Sequence, residues 1–481
     1  MRRLLSKLAT IKRKRLLALM LVFALSFIVR GLTAQFIGAH LTDAGWFPYG
    51  IYKIFDRQAQ DILDGKSNAF WIDDPSQTEA AIYPPGYSLW LALIYWVRGV
   101  RSAATIQTVQ WILDAFSVLL IVGIGVAAYN WRVGICAGLL AALSPLLALG
   151  GAIPLADAPT SWLVLGGTLM LVFAAKKRSW SWAVGAGAMV GASCWMRANA
   201  MLLFVWWALA LLIWVRAGWR ECARLSACVA IGVAILLTPI VLRNILAFRA
   251  FVPTGMGVGT NLWEGIGETD RAAEFGAVYG DDVLAEKERR ELGLSPDARF
   301  NLYYPDGVAR DRARVRKAFA VITAHPVWYA GVMIRRMAGV LNYAGEPSPI
   351  YGSAGFNVTS RKCLPPRFQG GAVAIFVNVL GMIQSVLRFI ALPLMLLGLY
   401  LALRRDARIT SLILATVLYY LVVGSFMHSE IRYGLPMQAI LIIFEGFAAC
   451  RLVEIVKGIF RRRSLAKSEE KESREVNKSL I

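Results

Sequence analysis

Apolar runs about 20 residues long, enough to cross a bilayer as a helix, recur along this chain. They begin near Leu16, Ile106, Val133, Ser161, Trp180, Ala200, Ser226, Gly371, Thr410 and Tyr433, which predicts ten spans. Backbone polar groups inside a bilayer must be satisfied within their own segment. The predicted class is therefore an all-α polytopic membrane protein. A further apolar stretch, Tyr87 to Val97, is too short to span and follows Pro84-Pro85-Gly86. It reads as an interfacial or re-entrant helix on the outer face.

Two large outer segments interrupt the spans. The pattern divides the chain into a basic start (1–15), a membrane core (16–245) with a first outer loop (38–104), and a second outer segment (246–369). C-terminal spans (370–457) and a charged tail (458–481) follow, the tail reading as disordered. Inside the second segment the pattern predicts a helix over Ala309 to Ala324 and an amphipathic one over Val327 to Leu341.

Composition agrees. Of 481 residues, 57% are hydrophobic and 17% charged, against about a quarter charged in a water-soluble globule. That excludes a disordered chain, a coiled coil and a secreted disulfide scaffold. The 16 Trp suit interfacial belts. The 6 Cys include no CxxC pair, and with only 3 His a His-based metal centre is excluded. No cofactor is predicted, although a carboxylate-held divalent cation would be compatible with the acids present.

The net charge of +21 resembles a nucleic-acid signal until its placement is read. Starting inside, the inner turns hold Arg132, then Lys176-Lys177-Arg178, then Arg216, Arg220 and Arg224, then Arg404, Arg405 and Arg408. Lys and Arg favour the cytoplasmic side of short loops. The surplus is thus a topology signal, and no nucleic-acid partner is predicted. Both termini are expected in the cytoplasm of a cell whose inner (plasma) membrane holds the chain. No small-residue cleavage site follows the first apolar run, and Arg30 interrupts it, so it reads as an uncleaved span. Counting Tyr87 to Val97 as a span would put the later basic turns outside.

With this orientation, acids from three separate loops face outward: Asp43 and Asp56, then Asp157, then Glu430. Asp61, Asp64, Asp73 and Asp74 read as solvated or paired with nearby cations. Asp157 differs, because an acid flanked by apolar residues at a span end is costly and commonly serves a site. Three cations, Arg197, Arg243 and Arg432, lie where spans meet the outer interface. Such a set suits one chemistry. A carboxylate takes the proton of an attacking group, and cations hold a departing phosphate.

The order of motifs resembles the GT-C glycosyltransferases that use polyprenyl-phosphate sugars, a group including protein O-mannosyltransferases and lipid A aminoarabinose transferases. Phe55, Ala59, Leu63 and Gly65 match the helix that follows the family's first acid, and Tyr83-Pro84-Pro85-Gly86-Tyr87 matches its Pro-Pro-Gly-Tyr segment. Ser144-Pro145 followed by Asp157 matches its second acidic loop, and Arg197-Ala198-Asn199-Ala200 its Arg-Pro-Asn-Ala turn. Arg243-Asn244, Phe251-Val252-Pro253 and Asn261-Leu262-Trp263 match the segment after span seven, and Arg432-Tyr433 with Pro436 its late Arg-Tyr-x-x-Pro. One departure stands out. Ile51 occupies the ungapped position of the first acid, which leaves Asp43, two turns upstream, and Asp56 as rival bases.

The resemblance implies an inverting transfer from a polyprenyl-phosphate-linked sugar to a lipid, glycan or protein acceptor at the outer face of the lipid bilayer. It implies Asp43, Asp56 and Asp157 as catalytic acids and Arg197, Arg243 and Arg432 on the donor phosphate. Tyr83, Tyr87, Glu430 and Tyr433 would support the site. Two rival classes are a secondary transporter, for which no internal repeat is found, and a lipid-linked oligosaccharide polymerase or ligase.

Overall fold

The computed structural model describes residues 2–38, 41, 49–66, 82–213, 218–341, 370–428 and 431–479. Its helices run in order α1 (Arg2–Gly38), α2 (Tyr49–Leu63), α3 (Gly86–Arg98), α4 (Ala103–Ala128), α5 (Trp131–Leu143), α6 (Pro145–Ala152), α7 (Asp157–Lys177), α8 (Trp180–Met196) and α9 (Leu203–Leu212). There follow α10 (Trp219–Phe248), α11 (Val258–Gly267), α12 (Ala272–Phe275), α13 (Asp281–Glu291), α14 (Gly307–Ala324), α15 (Pro326–Leu341), α16 (Gly371–Arg405), α17 (Ala407–Phe426) and α18 (Leu435–Ser479). Among the described residues the only strand-like feature is one isolated bridge, Asn301 to Tyr304. The all-α membrane class stands.

Each of the ten expected spans falls on a helix or a helix pair, but they are not equal. Among the described residues, five helices are long and apolar enough to cross a membrane, and two bent pairs raise the number to seven. The α5–α6 pair bends by 61°. Its cause is local: Ser144 ends α5, its Oγ accepts from the Leu147 amide at 3.3 Å, and Pro145 opens α6. Proline is tolerated at the first helical position and lacks the donor needed to continue a helix. α8 has 17 residues, and α9 belongs to a still shorter apolar helix. The predicted outer helices coincide with α14 and α15. α3 is 13 residues long and leaves Leu93, Trp96 and Val97 exposed, the form expected of an interfacial helix.

α18 continues to Ser479, through the segment expected to be disordered. That stretch alternates Glu with Lys and Arg and holds no Gly or Pro after Gly458. Strong helix formers and opposite charges spaced three or four apart offset the lack of an apolar face.

Glycines set how closely the spans approach. A Cβ on Gly187 of α8 would overlap the Val229 carbonyl of α10, and one on Gly232 of α10 would overlap that of Val184 on α8. Helices without a hydrophobic force between them associate through such small-residue contacts. The basic turns gather at one end of the bundle: Arg224 donates to the Arg178 carbonyl at 3.3 Å, Lys176 to that of Ala128 at 3.1 Å, and Arg132 pairs with Glu454 at 3.1 Å. Asp157 and Arg197 lie at the other ends of α7 and α8, beside the two long segments. This is the loop-rich end.

One ion pair is sunk in the spans. Arg30 of α1, fully buried, donates through Nε to Asp114 of α4 at 2.5 Å, and Trp162 of α7 donates to the other Asp114 oxygen at 2.6 Å. Gly151 of α6 lies against the Asp114 carboxylate, where a Cβ would stand 2.5 Å from Oδ2. The sequence reading noted Arg30 but not its partner. The signal was available, since Asp114 is an acid inside an apolar run and such residues seek a partner.

Candidate active site at the loop-rich end

α7 begins at Asp157, whose side chain is buried. α8 ends at Met196, and Arg197 turns back toward it, donating from Nη1 to Asp157 Oδ1 at 2.5 Å. Asp157 Oδ2 is buried with no hydrogen-bond partner among the described residues. The Arg197 guanidinium lies 4.1 Å from the centroid of the Tyr433 ring, and that of Arg432 lies 5.2 Å from the same ring. A cation over an aromatic face is held without consuming its N–H donors. Tyr433 thus brings two predicted cations together with one predicted acid.

The Arg197-Ala198-Asn199-Ala200 turn is pinned from the far end of the sequence. Tyr419 of α17 donates to the Asn199 carbonyl at 2.6 Å, and Asn199 donates to the Tyr433 carbonyl at 3.4 Å. A short 3-10 turn, Ile431–Gly434, carries Arg432 and Tyr433 into α18. Directly beneath, a small cavity between α4, α7 and α18 is lined by Asp114, Ser117, Ala158, Ser161 and Leu435.

The Pro-Pro-Gly-Tyr segment closes another side. Gly86 packs on the end of α8, and a Cβ there would stand 2.5 Å from the Trp195 carbonyl oxygen. Tyr87 is fully buried, donates to Gln110 at 3.0 Å and lies within electrostatic range of Asp157. Phe55 of α2 stacks between Tyr83 and Tyr87, with centroids 4.8 and 5.0 Å away. At the next position of α2, Asp56 accepts from Tyr95 at 2.5 Å and from Gln60 at 2.9 Å. Tyr95 also bonds Tyr52 at 2.8 Å. Asp56 is therefore held by neutral donors, and the Tyr95 phenol beside it is raised above its ordinary value, first by burial and then by these bonds.

The remaining predicted residues divide. Arg243 is buried near the loop-rich end of α10 beside Asn244, which donates to the Val252 and Thr254 carbonyls at 2.8 and 3.2 Å. Asp43 and Glu430 lie outside the described residues, as do Asp73 and Asp74. Asp64 pairs with Arg101 at 2.7 Å and Lys66 at 3.3 Å, and those bonds hold its carboxyl below the ordinary value. Among the described residues no group of three or more His, Cys, Asp or Glu is arranged to hold a metal ion.

A second cluster was not foreseen. α11 of the 246–341 unit packs on the residues just before the late Arg-Tyr motif. The His428 amide donates to the Asn261 carbonyl at 2.8 Å, and His428 Nδ1 lies 2.5 Å from Glu268 Oε1. Arg336 of α15 donates to the Ser425 and Met427 carbonyls at 3.2 and 3.1 Å, capping the end of α17. Glu264, one turn before Glu268, is buried, and its carboxyl is raised to about 7, first by burial and then by the neighbouring Asp281 charge. The only signal in sequence was its place, directly after Asn261-Leu262-Trp263.

Comparison with known proteins adds a segment. Residues 83–242 match the family model described as dolichyl-phosphate-mannose-protein mannosyltransferase. That stretch holds Tyr83, Tyr87, Asp157 and Arg197 and stops one residue before Arg243, and it bears out the GT-C resemblance. No curated protein matches the sequence significantly. The Archaeoglobus fulgidus oligosaccharyltransferase, solved with Zn and sulfate, superposes at 10% identity and TM-score 0.48 over 90% of this chain and 49% of its own. The same organism's AglB, solved with an inhibitory peptide and a dolichol-phosphate, gives 11% identity and TM-score 0.47 over 93% and 52%. ArnT from Cupriavidus metallidurans, bound to undecaprenyl phosphate, gives 16% identity and TM-score 0.33 over 90% and 78%. The chain thus spans about half the length of the oligosaccharyltransferase structures.

Proposed function

From a segment that matches the mannosyltransferase family model, we propose that this multi-pass membrane protein is a glycosyltransferase of the polyprenyl-phosphate-sugar class, acting at the outer face of the inner (plasma) membrane. The observation that carries this reading is the convergence of Asp157, Arg197 and Arg432 around one Tyr433 ring at a single end of the bundle. A transporter would show two related halves meeting at the midplane, and no internal repeat is found in the sequence; nor does it require an acid with an open oxygen to be held among cations in this way. The glycosyl transfer does.

The proposed step balances simply. A carboxylate accepts the proton of an acceptor hydroxyl or amine, whose heteroatom attacks the anomeric carbon from the face opposite the phosphate. The carbon–oxygen bond to phosphate breaks, and polyprenyl phosphate departs with its electron pair. Arg432 and Arg243 stabilise its charge. Arg197 holds Asp157, which positions the acceptor through its open Oδ2. The base is Asp43 or Asp56. Asp43 follows span one directly. Asp56 is already engaged by Tyr95 and Gln60, which favours Asp43.

The test is turnover by purified Asp43→Asn, Asp56→Asn and Asp157→Asn, each checked for folding. Loss of the general base costs typically about 10²–10⁴-fold in rate. A dead Asp56→Asn beside a near-native Asp43→Asn moves the role to Asp56. Activity in all three removes the mechanism. Arg432→Ala should weaken donor binding by about 1.5–3 kcal/mol, the range for a charge-assisted hydrogen bond. Orientation is tested by labelling a Cys placed at the exposed Ser295 in a background lacking native Cys. Labelling only after the inner face is opened would reverse it.

A further inference from the structure

The cluster on α11 has an unusual member. Glu264 is 6% exposed, and its Oε1 has no hydrogen-bond partner among the described residues. A buried carboxyl left so is costly unless something completes it. Its surroundings are fixed. Gly265, beside it, fits against the His428 amide so closely that a Cβ would stand 2.8 Å away. His428 touches the Tyr433 ring at 6.3 Å between centroids. On the other side, Asp281 shares a side-chain hydrogen bond with Glu264, and its own carboxyl is raised above the ordinary value, first by burial and then by the Asp282 charge. Glu264 therefore stands beside the late Arg-Tyr motif, with Asp281 as its neighbour.

The order of groups along a lipid-linked sugar decides what reaches it. The tail stays in the bilayer and the phosphate at its rim. The sugar is the part that projects beyond the span ends, where α11 lies. We infer that Glu264 is a specificity-determining residue that hydrogen-bonds hydroxyls on the sugar ring of the donor, with Asp281 beside it. A hydroxyl both donates and accepts, so it suits a carboxyl that is half protonated near neutral pH, as burial and Asp281 make this one. A fixed ammonium would need the full negative charge. Arg336 and His428, on α15 and after α17, already face the neighbouring Glu268.

This inference rests on the donor-phosphate reading above, and the test separates the two. Binding to the purified full chain is measured for sugar-free undecaprenyl phosphate and for undecaprenyl phosphate carrying mannose, glucose, galactose or arabinose. Wild type, Glu264→Gln, Asp281→Asn and Arg432→Ala are compared. The expected result is that Arg432→Ala weakens every lipid. Glu264→Gln should leave the sugar-free lipid within about twofold while the best sugar-bearing lipid loses about tenfold or more, the scale of one hydrogen bond to a charged group. Asp281→Asn should shift the same lipid in the same direction. If wild type binds the sugar-free and sugar-bearing lipids equally, or if Glu264→Gln weakens all or none of them, the sugar role is overturned while the phosphate reading stands. If wild type binds none of these lipids, both fall.

Discussion

Arg197 satisfies one oxygen of Asp157 and leaves the other open, so the pair is both a structural bond and half of a site. Replacing Arg197 by Ala strands a buried carboxylate. Breaking such a pair costs about 3–5 kcal/mol when both ends are buried, and Arg197 is partly exposed, so the lower end is expected. Asp157→Asn keeps the shape and should cost less. Thermal unfolding of both variants checks the order, and a larger loss in Asp157→Asn would contradict it.

Gly86 is where the first outer segment meets α8. Its missing Cβ would press on a backbone carbonyl, which cannot swing aside as a side chain can. Gly86→Ala should destabilise by about 1–3 kcal/mol, the range for overpacking. It should also lower turnover by displacing Tyr87. Gly99, with open space around it and φ of 66°, is the control. Gly99→Ala should strain the turn without touching turnover. Equal loss of turnover in the two would remove the case for close packing at Gly86.

The Arg30–Asp114 pair predicts an asymmetry. Either single change, Arg30→Met or Asp114→Leu, leaves one charge alone among spans and should cost about 3–5 kcal/mol. The double variant removes both charges and should recover most of that loss, since apolar replacements of buried pairs are often neutral. A double variant as unstable as the sum of the singles would show that the pair is not coupled.

Glu264 ties stability to pH. Its folded carboxyl titrates near 7 against an ordinary value of 4.5, so the folded form keeps a proton that the unfolded form has released. The contribution is full below 4.5, falls as pH rises through 7, and is flat above. The total is roughly 3 kcal/mol. Glu264→Gln should therefore gain on wild type between pH 5 and pH 8. Parallel stability profiles for the two proteins would rule this out.

The all-α membrane class and the basic turns were legible in the sequence, because each depends on local pattern. Lys176-Lys177-Arg178 needs only its neighbours to be read. Two kinds of feature were hidden. Asp114 is a partner by virtue of where α1 and α4 touch, and no periodicity carries that. Glu264 and His428 are separated by the whole of α12 to α17, and become neighbours only through the docking of α11.

The distance in sequence between Arg197 and Tyr433 has a consequence for biosynthesis. Asp157 and Arg197 enter the membrane together, on adjacent helices, and can neutralise each other at once. The ring that covers Arg197, and the second cation beside it, arrive only with the last helical hairpin. Contacts between segments so far apart form late. A nascent chain therefore lacks the Tyr433 ring and the Arg432 cation beside Arg197 until α17 and α18 have inserted.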